Sequence, residues 1–175
     1  THIPAVRSQV ARDVKPCERL AEVVAEVLAW ETKPSGVLVN GDLALGTGEA
    51  ADYATFSELI APLRGAGLPL HLALGNHDNR ERFWAGLAKE KSVQAPLSER
   101  QISVVRAERA NWFVLDSLDK TNSTPGVLGT EQMQWLARAL DAHADRPALV
   151  MVHHNPNAGT SKGGLTETEP FLELL

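Results

Sequence analysis

The chain has a single cysteine, Cys17, so no intrachain disulfide can form. Cys17 falls within a helical apolar pattern, where a thiol behaves as a small buried hydrophobe. No apolar run approaches the roughly 18 residues that a membrane-spanning helix needs. Dense stretches of Lys and Arg are missing too: 17 basic residues stand against 22 acidic ones, for a formal net charge of -5. That balance argues against a surface built to grip nucleic acid. A small phosphorylated partner is still allowed, because bound cations can supply positive charge locally. Internal repeats, low-complexity stretches and a signal-peptide pattern are absent. The first residue is Thr1 and not Met, so an upstream segment is expected, and the sequence chooses neither between a cytoplasmic and an exported location nor between oligomeric states.

What is present is the ordinary balance of a globular domain, 175 residues with 43% hydrophobic and 22% charged. That length suits one domain, which buries roughly two thirds of the surface its unfolded chain exposes. Apolar periodicity predicts a helix over 17–31, with Leu20, Val23, Val24, Val27 and Leu28 on one face. Pro34, Ser35 and Gly36 break the chain before a short buried strand, Val37–Val39. A second helix is predicted over 50–64, with Tyr53, Phe56, Leu59, Ile60 and Leu63 facing inward and Gly65 and Gly67 stopping it. Strand 68–74 follows, then a short helix through Phe83, Trp84 and Leu87, with Asp78 as its N-cap. Strands 101–106 and 112–116 form a hairpin pair. A helix opens at Gly129-Thr130, with Met133, Leu136, Ala137 and Leu140 inward, before strand 148–152 and a last helix from Thr168. Alternating strands and helices indicate a layered α/β domain with mostly parallel pairing.

Residues able to bind a cation fall where those strands end. Asp42 follows the first strand by a glycine turn; Asn76, His77 and Asp78 follow the second in the same way; His153 and His154 close the strand 148–152. His2 stands at the start of the chain, where another strand would just have ended. Sites in α/β sheets form at the carboxyl ends of strands, so four such ends can converge on one pocket. Imidazole suits zinc, iron, nickel and manganese, whereas carboxylate and amide oxygens suit harder ions. One Asp can bridge two ions through its two oxygens. Gly41 and Gly75 let the backbone turn sharply beside them.

In order and spacing, Thr1-His2, Gly41-Asp42, Gly75-Asn76-His77-Asp78 and His153-His154 resemble the calcineurin-like metallophosphoesterase superfamily. The likeness is nearest the branch of class III cyclic nucleotide phosphodiesterases and glycerophosphodiesterases. The resemblance implies a layered α/β/β/α sandwich spanning residues 1–175, truncated at both ends. It implies two divalent or trivalent metal ions (manganese, iron, zinc or similar) and hydrolysis of a small phosphodiester or phosphomonoester by a hydroxide bridging them. His2 would bind the first ion, Asp42 both, and Asn76 and His153 the second. His77 would act beside the phosphate as a catalytic donor, and Asp78 would serve catalysis from behind the ligands. His154, Arg80 and Asp116 are candidates for supporting the site or touching substrate.

The chain departs from the family pattern in three places. The Asp of Asp-x-His is expected before Thr1, the closing Gly-His-x-His beyond Leu175, and Asn155 stands where relatives often carry Pro. Two other readings of the same residues are a catalytically incomplete binding module and a nuclease of the same fold. His71 and His143 are expected to be structural or solvated, and Trp30, Trp84, Trp112 and Trp135 to lie in the core. The loop 155–166, rich in Gly, Ser and Thr, is expected to shape the pocket.

Overall fold

The computed structural model describes residues 1–94, 97–156 and 163–175. Among the described residues, five short strands and five α-helices follow in this order: α1 Pro16–Ala29, β1 Val37–Asn40, α2 Ala50–Gly65, β2 Leu70–Ala73, α3 Arg80–Gly86, β3 Ser103–Arg106, β4 Asn111–Val114, α4 Thr130–Ala142, β5 Ala148–Met151 and α5 Thr168–Leu174. Strands β1 and β2 pair in parallel, from Val37 opposite Leu70 to Asn40 opposite Ala73. The second sheet runs β3-β4-β5, with β3 and β4 antiparallel and β4 and β5 parallel. An α/β domain with a mixed sheet and one hairpin is what the alternation predicts.

Each sheet buries its own core. Tyr53, Phe56, Ile60 and Leu63 of α2 join Val24 of α1, Leu72 of β2 and Phe83 of α3 beside the first sheet. Beside the second, Phe113 packs with Trp135, Leu136 and Ala139 of α4 and Phe171 of α5. Helix, sheet, sheet and helix therefore stack as layers. The periodicity placed the α2 face correctly, since its aromatic and aliphatic residues recur three and four apart.

Four local expectations are corrected. The cap of α3 is Asn79, whose side chain accepts from the Arg82 amide; Asp78 is engaged elsewhere. Trp30 is 48% exposed because α1 ends at Ala29 and leaves it outside the core. Val23 is 54% exposed, so the inward stripe of α1 is narrower than the apolar pattern suggested. On α4 the inward face centres on Trp135, Leu136 and Ala139, rotated from the expected stripe, because Gln132 is drawn inward to bond Asp116. Residues 157–162, half of the loop 155–166, lie outside the described residues.

Paired register explains why chemistry collects at one end. Because β1 and β2 finish side by side, the segments after Asn40 and Ala73 leave the sheet together. The two sheets meet at the same level, where the Asn40 side chain donates to the Val152 carbonyl at 3.2 Å.

Candidate metal centre

Asp42 is 7% exposed and organises the site. Its Oδ2 lies 3.1 Å from His2 Nε2, and its Oδ1 lies 3.4 Å from His153 Nε2. The two carboxylate oxygens thus address different histidines on different strand ends. Oδ1 also accepts from the His77 amide at 3.0 Å. Two glycines allow this approach. A Cβ at Gly75 would stand 2.2 Å from Asp42 Oδ1, and one at Gly41 would stand 2.5 Å from the Gly75 amide.

His2 and Asp42 both hold left-handed backbone, at φ 57° and 50°. Such a conformation costs a non-glycine residue roughly 1–3 kcal/mol and collects at functional sites. The surroundings enforce it: the His2 amide donates to the Asp42 carbonyl at 2.7 Å, and the Ile3 amide to that of Leu43 at 2.8 Å.

The rings are oriented by backbone carbonyls. His153 Nδ1 donates to the Asn40 carbonyl at 2.7 Å, and His77 Nδ1 to the Gly46 carbonyl at 2.7 Å. A carbonyl only accepts, so Nδ1 carries a proton and Nε2 is the ring nitrogen left facing the cluster. Burial holds the His2 imidazole below its ordinary value, with the charge of Asp42 opposing, so His2 is neutral near pH 7. His153 Nε2 and Asp42 Oδ1 face each other at 3.4 Å, a gap that either a proton or a shared cation can bridge. Ligands at ~2.1 Å from one ion and at right angles to each other sit ~3 Å apart. The donor set therefore fits a metal.

Ligand atoms of His2, Asp42 and His77 all lie within 4.8 Å of one another. The structure thus brings His77, expected as a donor beside the phosphate, into the same cluster as two expected ligands. Its ring meets that of His2 edge-on, with centroids 5.2 Å apart. Asn76 is half-buried, and its carbonyl accepts from the Asn122 amide at 2.5 Å.

Asp78 does not face this cluster. Fully buried, its carboxylate accepts from the amides of Leu43, Ala44 and Gly75 and from the Tyr53 hydroxyl. Burial pushes its carboxyl up from the ordinary value, while the three amides pull it down. Its enclosure places Asp78 behind the turns that carry Asp42 and His77, away from the open cluster. Asp78 pins together the two turns that carry Asp42 and His77.

Arg80 and Asp116 are likewise committed to each other. Arg80 forks onto Asp116 at 2.8 and 3.0 Å and donates to the Leu118 carbonyl at 2.6 Å. Asp116, fully buried, also accepts from the amides of Gln101 and Leu118. Arg80, a candidate for supporting the site or touching substrate, thus forms with Asp116 a pair that shapes the end of β4. His154 is 3% exposed and pairs through Nδ1 with Ser117 Oγ at 2.8 Å. Burial, with the neighbouring His153 adding to it, lowers its value from 6.5 to about 4. It stands edge-on to His153, outside the cluster around Asp42.

Pattern reading missed four participants. Tyr53 was assigned only to the apolar face of α2, yet its hydroxyl bonds Asp78 and accepts from the Asn79 amide at 2.7 Å. The Asn40 and Gly46 carbonyls carry no side-chain signal. Thr121, whose hydroxyl donates to the Asp78 carbonyl at 2.8 Å, belongs to a loop far away in sequence.

Histidine and carboxylate groups gathered at the carboxyl ends of strands in a layered α/β domain form a candidate metal site. The chain belongs to the calcineurin-like phosphoesterase family, whose sequence model matches residues 1–174. It is 34% identical over 163 residues to a protein of Rhodopseudomonas palustris named a probable cyclic nucleotide phosphodiesterase, covering 89% of this chain and 55% of that protein. It is 32% identical over 139 residues to a 3',5'-cyclic adenosine monophosphate phosphodiesterase of Pseudomonas aeruginosa, covering 78% of this chain and 46% of that one. A glycerophosphodiester phosphodiesterase of Enterobacter lignolyticus is 25% identical over 136 residues, covering 78% and 47%. The chain spans about half the length of these curated relatives.

Proposed function

We propose that the protein containing this chain hydrolyses a small phosphodiester at a centre of two divalent or trivalent metal ions held around Asp42. The observation that carries this reading is the division of the Asp42 carboxylate, one oxygen toward His2 and the other toward His153. His2 and Asp42 would hold one ion; Asp42, Asn76 and His153 would hold the other. When bound, the ions would acidify a water molecule and neutralise charge on the phosphoryl oxygens. The relatives' names, all phosphodiesterases, support a diester as substrate.

The remaining chemistry falls to the chain's own groups. Three amides and the Tyr53 hydroxyl hold Asp78, which fixes the turn before His77 and the turn after Asp42 in one geometry. His77, tied at Nδ1 to Gly46, is free to hold a second proton at Nε2 and pass it to the departing alkoxide. The Gly46 carbonyl keeps the ring aimed as the proton moves.

The test is an activity panel on the full-length protein with added manganese, iron or zinc. Wild type should hydrolyse bis-para-nitrophenyl phosphate and Asp42→Ala should not. Equal turnover by the two proteins would sink the assignment.

A further inference from the structure

A groove of about 400 Å3 opens beside the candidate metal centre, with His2 in its wall and Val14, Leu20, Val23 and Leu45 making it largely apolar. Its volume falls within the roughly 300–1,000 Å3 of small-molecule sites. Two arginines line it, Arg12 and Arg19, and Arg19 is paired with Glu22 at 2.7 Å. Arg12 is exposed, lines the groove together with His2, and pairs with no carboxylate among the described residues. The way Arg12 is held is unusual. Ala11 and Val14 exchange backbone hydrogen bonds of 2.8 and 3.1 Å, and the two residues between them, Arg12 and Asp13, are left-handed at φ 51° and 63°. Two-residue turns of that kind ordinarily use Asn-Gly, since a side chain is strained there. A strained turn that fixes an unpaired guanidinium beside a metal-ligand histidine, at the mouth of an apolar groove, matches an anion joined to an apolar group.

We infer that this groove takes one organic substituent of the phosphodiester and that Arg12 holds one of its two non-esterified phosphate oxygens, so that the two together set substrate choice. This rests on the proposed phosphodiesterase reading and goes beyond it by naming where the non-leaving group lies. Arg suits the task because its planar fork matches phosphate oxygens. Val23, exposed on α1, can be enlarged without disturbing the core.

The test uses full-length protein loaded with manganese and two substrates, bis-para-nitrophenyl phosphate and methyl para-nitrophenyl phosphate. Arg12→Gln should raise KM roughly tenfold on both, the loss of one charged hydrogen bond, with kcat changed less than about twofold. Arg12→Lys should recover part of that loss. Val23→Trp should raise KM for the aromatic diester severalfold and leave the methyl ester alone. Unchanged KM in Arg12→Gln and Val23→Trp, with wild type active, would overturn the groove assignment and spare the phosphodiesterase reading. A fall in Tm for Val23→Trp with KM unchanged would show that another part of the longer protein covers the groove, which also overturns it. Wild type inactive on both esters, with metal bound, would remove the phosphodiesterase reading itself.

Discussion

Two groups of polar residues at strand ends are of similar type and are used in opposite ways. Around Asp42, past the ends of β1, β2 and β5, His77 and His153 give Nδ1 to backbone carbonyls, and they and His2 leave Nε2 directed at Asp42 or at the open cluster. At the end of β4, Arg80, Asp116, Gln101, Gln132 and Ser117 satisfy one another and neighbouring backbone groups. Full internal satisfaction rigidifies a core, whereas donors left free and aimed at one point make a ligand site. Residue type alone does not separate the two; the remaining hydrogen-bonding capacity does.

Removing Asp42 should break that contrast most severely. Asp42→Ala in the full-length protein should lower kcat/KM roughly a thousandfold, measured by release of para-nitrophenol, while its circular dichroism spectrum stays that of wild type. The mirror experiment is Asp116→Ala. Leaving Arg80 without its buried partner should cost about 3–5 kcal/mol in urea unfolding, while metal affinity, read by titration, changes far less. His77→Ala should slow turnover roughly a hundredfold yet keep the bound metal. If metal is lost in step with activity, His77 belongs to the ligands and not to proton transfer.

Smaller effects probe the frame. Tyr53→Phe should cost about 1–2 kcal/mol because the Asn79 amide and Asp78 each lose a partner, and thermal unfolding would report it. His71, half-buried on β2, is held below its ordinary 6.5 by burial. Between those values the unfolded chain binds the proton and the folded chain does not, so stability should fall as pH drops below 6.5. His71→Gln should flatten that part of the pH–stability curve; an unaltered slope would remove His71 as its source.

Much of this was legible in the residues themselves. Three- and four-residue spacing found α2 and its inward face, and short apolar runs found β1 and β2 before glycines and β5 before the paired histidines. Asp42, His77 and His153 stood out as polar residues where such runs end. What stayed hidden depends on partners distant in the chain. Asp78 looked like a cap because it precedes α3, but amides of Leu43 and Ala44, 35 and 34 residues away, claim it. Arg80 looked free until Asp116, 36 residues on, closed around it. The strain at His2 and Arg12 is a backbone property that no side-chain pattern announces.

Metal content measures the central claim most directly. Full-length protein, loaded with manganese and freed of excess ion, should retain two ions per chain by mass spectrometry. Asp42→Ala should retain fewer than one, because one carboxylate serves both positions. Two ions retained by Asp42→Ala would contradict the bridging role on which the account rests.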